Sequence, residues 1–152
     1  MIRAMLFAYD AIFAPGGTPH PGAEAFLRSC AGRFPLMLTA DGAYADIKAE
    51  LASTGLLPLF LDIVTEFEVE HRKPEPDLLL ATLGRIGFLL RDRKPVEPHE
   101  CLVVESSADG IEAAFRAGMR SLAIAIQTGK ADFVRDSFAA IDLDEILRAC
   151  AA

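Results

Sequence analysis

The chain has 152 residues, 52% apolar and 24% charged, a balance that suits one globular domain with a sizeable core rather than a disordered segment. Fifteen Lys and Arg against 22 Asp and Glu leave a net charge of −7, which argues against nucleic acid or an anionic membrane as partner, since both call for a basic footprint. No apolar run approaches a membrane span, and Asp10 interrupts the apolar start too early for a secretory signal.

Five short runs read as buried parallel strands, because both of their faces are apolar instead of alternating. Ile2 to Phe7 is the first and leads into a loop carrying Asp10. Ala14 to Pro21, rich in Gly and Pro, reads as an irregular connection. Pro21 suits a first helical turn, with Ala23, Phe26, Leu27 and Cys30 at i, i+3, i+4 and i+7, and Gly32 marks its stop. Pro35 to Leu38 is the second strand. Tyr44, Ile47 and Leu51 share one face of a second helix that ends near Gly55, and Leu61 to Val64 is the third strand.

Pro76 opens a third helix with Leu79, Leu80 and Leu83 facing inward, followed by a charged, Pro-bearing stretch from Arg91 to Pro98. Cys101 to Val104 is the fourth strand. The next helix is expected to begin near Asp109, with Glu112 completing a capping box, and its Ala113, Ala114 and Gly118 permit close approach to a sheet. Ser121 to Ile126 is the fifth strand, and a last helix spans Leu143 to Ala149. This alternation predicts an α/β fold: a single doubly wound domain with a parallel central sheet and right-handed crossovers.

Cys30, Cys101 and Cys150 are odd in number and widely spaced, without Cys-x-x-Cys, and read as small core residues. With the absence of a secretory start, they imply a reduced, cytoplasmic setting. His20, His71 and His99 are scattered without metal-ligand spacing and are expected on loops or the surface.

In an open α/β sheet ligands bind beyond the carboxyl ends of the strands. Asp10 follows the first strand, Thr39 ends the second, and Glu105, Ser106 and Ser107 end the fourth; Lys73 joins them from the loop Glu70 to Pro76. A hydroxyl, an ammonium and two acids make a candidate binding site.

Four segments in order carry a family resemblance over Met5 to about Leu147. They are Leu6-Phe7-Ala8-Tyr9-Asp10, the strand Leu36-Met37-Leu38-Thr39, the loop Arg72-Lys73-Pro74-Glu75-Pro76-Asp77, and Val104-Glu105-Ser106-Ser107 running on to Ala117-Gly118-Met119. The chain resembles the haloacid dehalogenase (HAD) superfamily of phosphohydrolases. In that family the first strand ends in Asp-x-Asp-Gly-Thr, the second in Thr or Ser, the third motif reads Gly-Lys-Pro-x-Pro-Asp and the fourth Val-Glu-Asp-Ser.

The resemblance implies a chemistry. The family's first aspartate attacks phosphorus to form an aspartyl-phosphate, the second serves as acid and then base, Thr and Lys hold the phosphoryl oxygens, and Mg²⁺ offsets the carboxylate–phosphate repulsion. Residue by residue, Asp10 matches the acid/base, Thr39 the hydroxyl, Lys73 the phosphate-neutralising lysine and Glu105 the remaining metal-binding acid. Ala8 stands at the nucleophile position and Ser106 where a metal-binding aspartate is usual; Ala11 and Ile12 replace Gly-Thr, and Ala40 a frequent Asn. Only short segments separate the motifs, so the chain resembles the subgroup without a cap domain.

The expected function is therefore a HAD-like protein without phosphatase activity and without a resident cofactor. Its pocket is expected to bind a phosphate-bearing ligand or a protein partner. The alternative is a Mg²⁺-dependent phosphomonoester phosphatase working through Asp10 and Glu105 in an atypical arrangement.

Overall fold

A computed structural model describes residues 1–151. Among the described residues six strands pair in parallel: β1 Ala4–Ala8, β2 Leu36–Ala40, β3 Asp62–Thr65, β4 Cys101–Glu105, β5 Arg120–Ile124 and β6 Phe133–Arg135. They lie in the order β3-β2-β1-β4-β5-β6. The helices are α1 Tyr9–Ile12, α2 Ala23–Ala31, α3 Tyr44–Ser53, α4 Asp77–Leu89, α5 Ala108–Ala117 and α6 Leu143–Ala151.

The strands are apolar on both faces because helices cover both. On one side Met5, Phe7, Leu36 and Leu38 pack with Phe26 and Leu27 of α2, Leu51 of α3 and Ile146 of α6. On the other, Ala4, Leu6, Met37 and Val103 pack with Leu78, Leu79 and Ile86 of α4 and with Ala113 and Ala114 of α5. Ala113 and Ala114 of α5 are fully buried, and the helix stops at Gly118, which takes the left-handed conformation (φ 75°) that favours glycine. All three cysteines are buried and unpaired, and burial pushes the Cys30 and Cys101 thiols up to about 12, so they serve as core residues.

Several expectations need correction. Asp10 does not lie in a loop: α1 begins at Tyr9 because Ala11 and Ile12 bury themselves in the core. Leu80 does not face inward but is 45% exposed, and Leu83 is only half-buried. The buried stripe of α4 is Leu78, Thr82 and Ile86 at i, i+4 and i+8, beside Leu79. The capping box at Asp109 and Glu112 does not form. Ser107 is the N-cap instead, its Oγ accepting from the Gly110 N–H at 3.0 Å, while Glu112 pairs outward with Arg116 and Lys130. The fifth strand ends at Ile124, and β6 was not expected; it is a three-residue, half-buried edge strand.

Between α1 and α2 the chain makes a short excursion closed by one bridge, Phe13 with Pro19, and no second domain is inserted there or after β2 among the described residues. No helix among them is long and apolar enough to cross a membrane.

Candidate functional site

From β1 the chain moves outward through β2 to β3, then returns to lay β4 against the other side of β1. Such a reversal leaves a crevice at the carboxyl ends of the two central strands. A cavity of about 570 Å³ occupies it. Ala8 pairs with Thr39 and Phe7 with Val104, so Ala8, Thr39 and Glu105 stand level at the ends of three adjacent strands.

Asp10, Thr39, Lys73 and Glu105, the candidates named from the sequence, all line this cavity. The Lys73 ammonium donates to Oε1 of Glu105, and the two side chains are 15% and 2% exposed. Oε2 of Glu105 accepts from the Ser106 N–H at 3.2 Å and from the Ser107 hydroxyl at 3.4 Å. A carboxylate this deep persists only with such partners, because its desolvation is otherwise uncompensated. Thr39 is buried and donates to the Phe7 carbonyl at 3.5 Å. Asp10 is exposed at the rim and makes no side-chain hydrogen bond among the described residues.

Gly110 shapes the floor. A Cβ at this position would overlap the Glu105 carboxylate, so the glycine lets the first turn of α5 close over the end of β4. Tyr9, between Ala8 and Asp10, donates to Oε2 of Glu50 at 2.6 Å and lies against Phe13. Burial, then the Glu50 bond, pushes its phenol up, which keeps it neutral.

Other lining residues were not anticipated. Arg72 donates to Oδ1 of Asp41 at 2.9 Å and pairs with Oε2 of Glu66 at 3.2 Å. With Asp109, the carboxylates at the cavity are Asp10, Asp41, Glu66, Glu105 and Asp109, against Arg72 and Lys73 as cations. Both cations are held by carboxylates. The available signals were adjacency: Asp41 lies two residues beyond Thr39, and Arg72 precedes Lys73. Glu66 gave none, since the turn after β3 that brings it back is a tertiary event.

The donor set does not suit a magnesium ion, which requires several oxygen ligands in a near-octahedral array. The Ala8 side chain supplies no oxygen, that of Ser106 only a neutral hydroxyl, and Glu105 is already met by an ammonium. No group of three or more His, Cys, Asp or Glu gathers as a metal cage among the described residues. Ser106 also borders a smaller cavity of about 210 Å³ with His20 and Asp136, but no hydrogen bond joins Ser106 to either among the described residues.

A family model described as haloacid dehalogenase-like hydrolase matches residues 2–118. Fructose-1-phosphate phosphatase YqaB of Escherichia coli (strain K12) is 36% identical over 93 residues, 61% of this chain and 45% of that protein. Putative phosphatase YhcW of Bacillus subtilis (strain 168) is 33% identical over 105 residues, 68% of this chain and 44% of that protein. The match thus spans less than half the length of either relative. The crystal structure of a HAD-superfamily hydrolase, subfamily IA, variant 1, from Geobacter sulfurreducens PCA superposes with a TM-score of 0.75 at 16% identity, covering 98% of this chain and 100% of that one.

Proposed function

Because the chain belongs to the haloacid dehalogenase-like hydrolase family yet presents Ala8 at the centre of its cleft, we propose that it binds through that cleft without hydrolysing phosphomonoesters. The observation that carries this reading is the position of Ala8, level with Thr39 and Glu105 at the carboxyl ends of the central strands. A methyl group has no lone pair to attack phosphorus, and Asp10 is left without the nucleophile it would serve. The Lys73–Glu105 pair supports the same reading, since it neutralises the acid that would otherwise seek a cation. The ligand is a phosphate-bearing molecule, held by Thr39 and by Lys73 once it exchanges its carboxylate for the phosphoryl oxygens, or a protein presenting such a group.

Hydrolysis of an aryl phosphate with magnesium, run beside the Asp10→Ala variant, tests the loss of activity. Both proteins are expected at the same background rate, because removing a catalytic nucleophile costs roughly 10⁴ to 10⁶ in rate. Activity that disappears in the variant would instead establish a magnesium-dependent phosphohydrolase working through Asp10 and Glu105, a reading favoured by the unpaired Asp10 in the same cavity and by the phosphatase relatives. Orthophosphate tests the binding: at 100 times its Kd it stabilises the fold by about 2.7 kcal/mol. That gain is expected to vanish in Lys73→Ala and to shrink in Thr39→Val, each referred to its own ligand-free baseline. An undiminished gain in both would show that the cleft does not hold phosphate.

A further inference from the structure

At the opposite end of the sheet, just before β1 and β2 begin, lies a second cavity of about 450 Å³. Five basic side chains line it: Arg3, Arg33, Arg91, Arg93 and Lys94. They are a third of the fifteen Lys and Arg of a chain whose net charge is −7, and no acidic residue lines the cavity. The floor is apolar, formed by Ile2, Phe34, Ile86, Leu90 and Val96. We infer that this cavity is a second ligand site, which takes a small organic polyanion carrying two or more phosphoryl groups next to an apolar ring.

Local geometry prepares the cations. Arg3 donates to the carbonyls of Lys94 and Pro95, both at 2.8 Å, and pins the Arg91–Pro98 loop against β1. The Arg91 guanidinium lies 5.0 Å from the centre of the Phe88 ring and donates to the Phe88 carbonyl, and that of Arg33 lies 5.8 Å from the centre of the Phe34 ring. Two carboxylates compete from outside: Glu100 pairs with Arg3 at 3.3 Å and Asp144 with Arg33 at 2.8 Å, the latter pair exposed and readily exchanged. Asp92 sits in the loop but does not line the cavity. Arg93 and Lys94 make no side-chain hydrogen bond or ion pair among the described residues, and they supply the uncommitted charge.

The volume falls within the range of small-molecule sites. Guanidinium forks match phosphoryl oxygens, and the apolar floor distinguishes an organic polyanion from an inorganic one. Nothing in this geometry relies on the cleft at the other end of the sheet.

Calorimetric titration with ATP, tripolyphosphate and orthophosphate tests the site, using the full chain, Arg93→Ser/Lys94→Ser and Lys73→Ala. ATP is expected to bind more tightly than tripolyphosphate, and orthophosphate at this cavity not measurably. Affinity for ATP is expected to fall about tenfold or more in the double variant, by loss of charge-assisted contacts, and to hold in Lys73→Ala. Affinity lost only in Lys73→Ala would place the ligand in the cleft and overturn the inference. So would the absence of saturable ATP binding at low salt, or binding of an oligoglutamate peptide in preference to ATP. The double variant lies on an exposed loop, and circular dichroism spectra matching the parent confirm that it and Lys73→Ala both fold under the titration conditions.

Discussion

Lys73 and Glu105, 32 residues apart, form a nearly buried ion pair on the floor of the cleft. The pair joins the loop before α4 to the last residue of β4. Here each group answers the other, so the buried Glu105 carboxylate is compensated, while the cleft as a whole keeps an excess of carboxylates over cations.

Breaking that pair from one side is expected to be costly. Lys73→Met leaves a buried carboxylate with only weak hydroxyl and amide partners, and should lower stability by about 3 to 5 kcal/mol in urea denaturation at neutral pH. Lys73→Met/Glu105→Leu should recover most of the loss, because it removes both charges together. A double variant no more stable than the single one would show that the site does not depend on charge compensation.

Gly110→Ala is expected to destabilise by about 1 to 3 kcal/mol, since the new methyl must push aside a carboxylate held by Lys73. The cost should fall sharply when Glu105 is already alanine. Paired urea denaturation of Gly110→Ala in the two backgrounds measures that coupling.

His71 precedes the two cations of the cleft, and its Nδ1 lies 3.0 Å from Oδ2 of Asp77. The Asp77 bond, followed by the charge of Glu70, raises its pKa above the ordinary value of 6.5. The linkage has a definite sign. A raised folded-state pKa means that the stabilisation is fully present below about pH 6.5 and is lost as pH rises through the folded-state value. An NMR titration should place His71 above its value in Asp77→Asn; equal values would show that the contact does not persist in solution.

Restoring carboxylates should restore a cation site. Ala8→Asp/Ser106→Asp places two acids beside Glu105, and magnesium at 100 times its Kd should then raise stability by about 2.7 kcal/mol. The parent chain should show no such gain. Equal magnesium responses in the two proteins would mean that the missing carboxylates are not what keeps the metal out.

Much of the fold was legible along the chain. Runs such as Leu36-Met37-Leu38 have no polar face to offer water, so they become central strands, and the spacing of Ala23, Phe26, Leu27 and Cys30 leaves a helix one face to bury. Local rules faltered where neighbours chose among near-equal options. Leu78 rather than Leu80 turns inward because α4 meets the sheet along the Leu78–Ile86 stripe, and Ser107 caps α5 because β4 ends just before it. Phe133 to Arg135 is too short for any periodicity, and becomes a strand only because β5 offers it an edge.

The sequence by itself determined the α/β class, and it determined that Asp10, Thr39, Lys73 and Glu105 accompany an alanine at position 8. These follow from residue identity, burial preference and motif order. Which groups touch was decided only by the tertiary structure. The parallel sheet sets Ala8, Thr39 and Glu105 level, turns Lys73 onto Glu105 and Arg72 onto Asp41 and Glu66, and gathers five cations at its far end. Such pairings join segments tens of residues apart, and a charge finds its partner through space, where chain order gives no measure of distance.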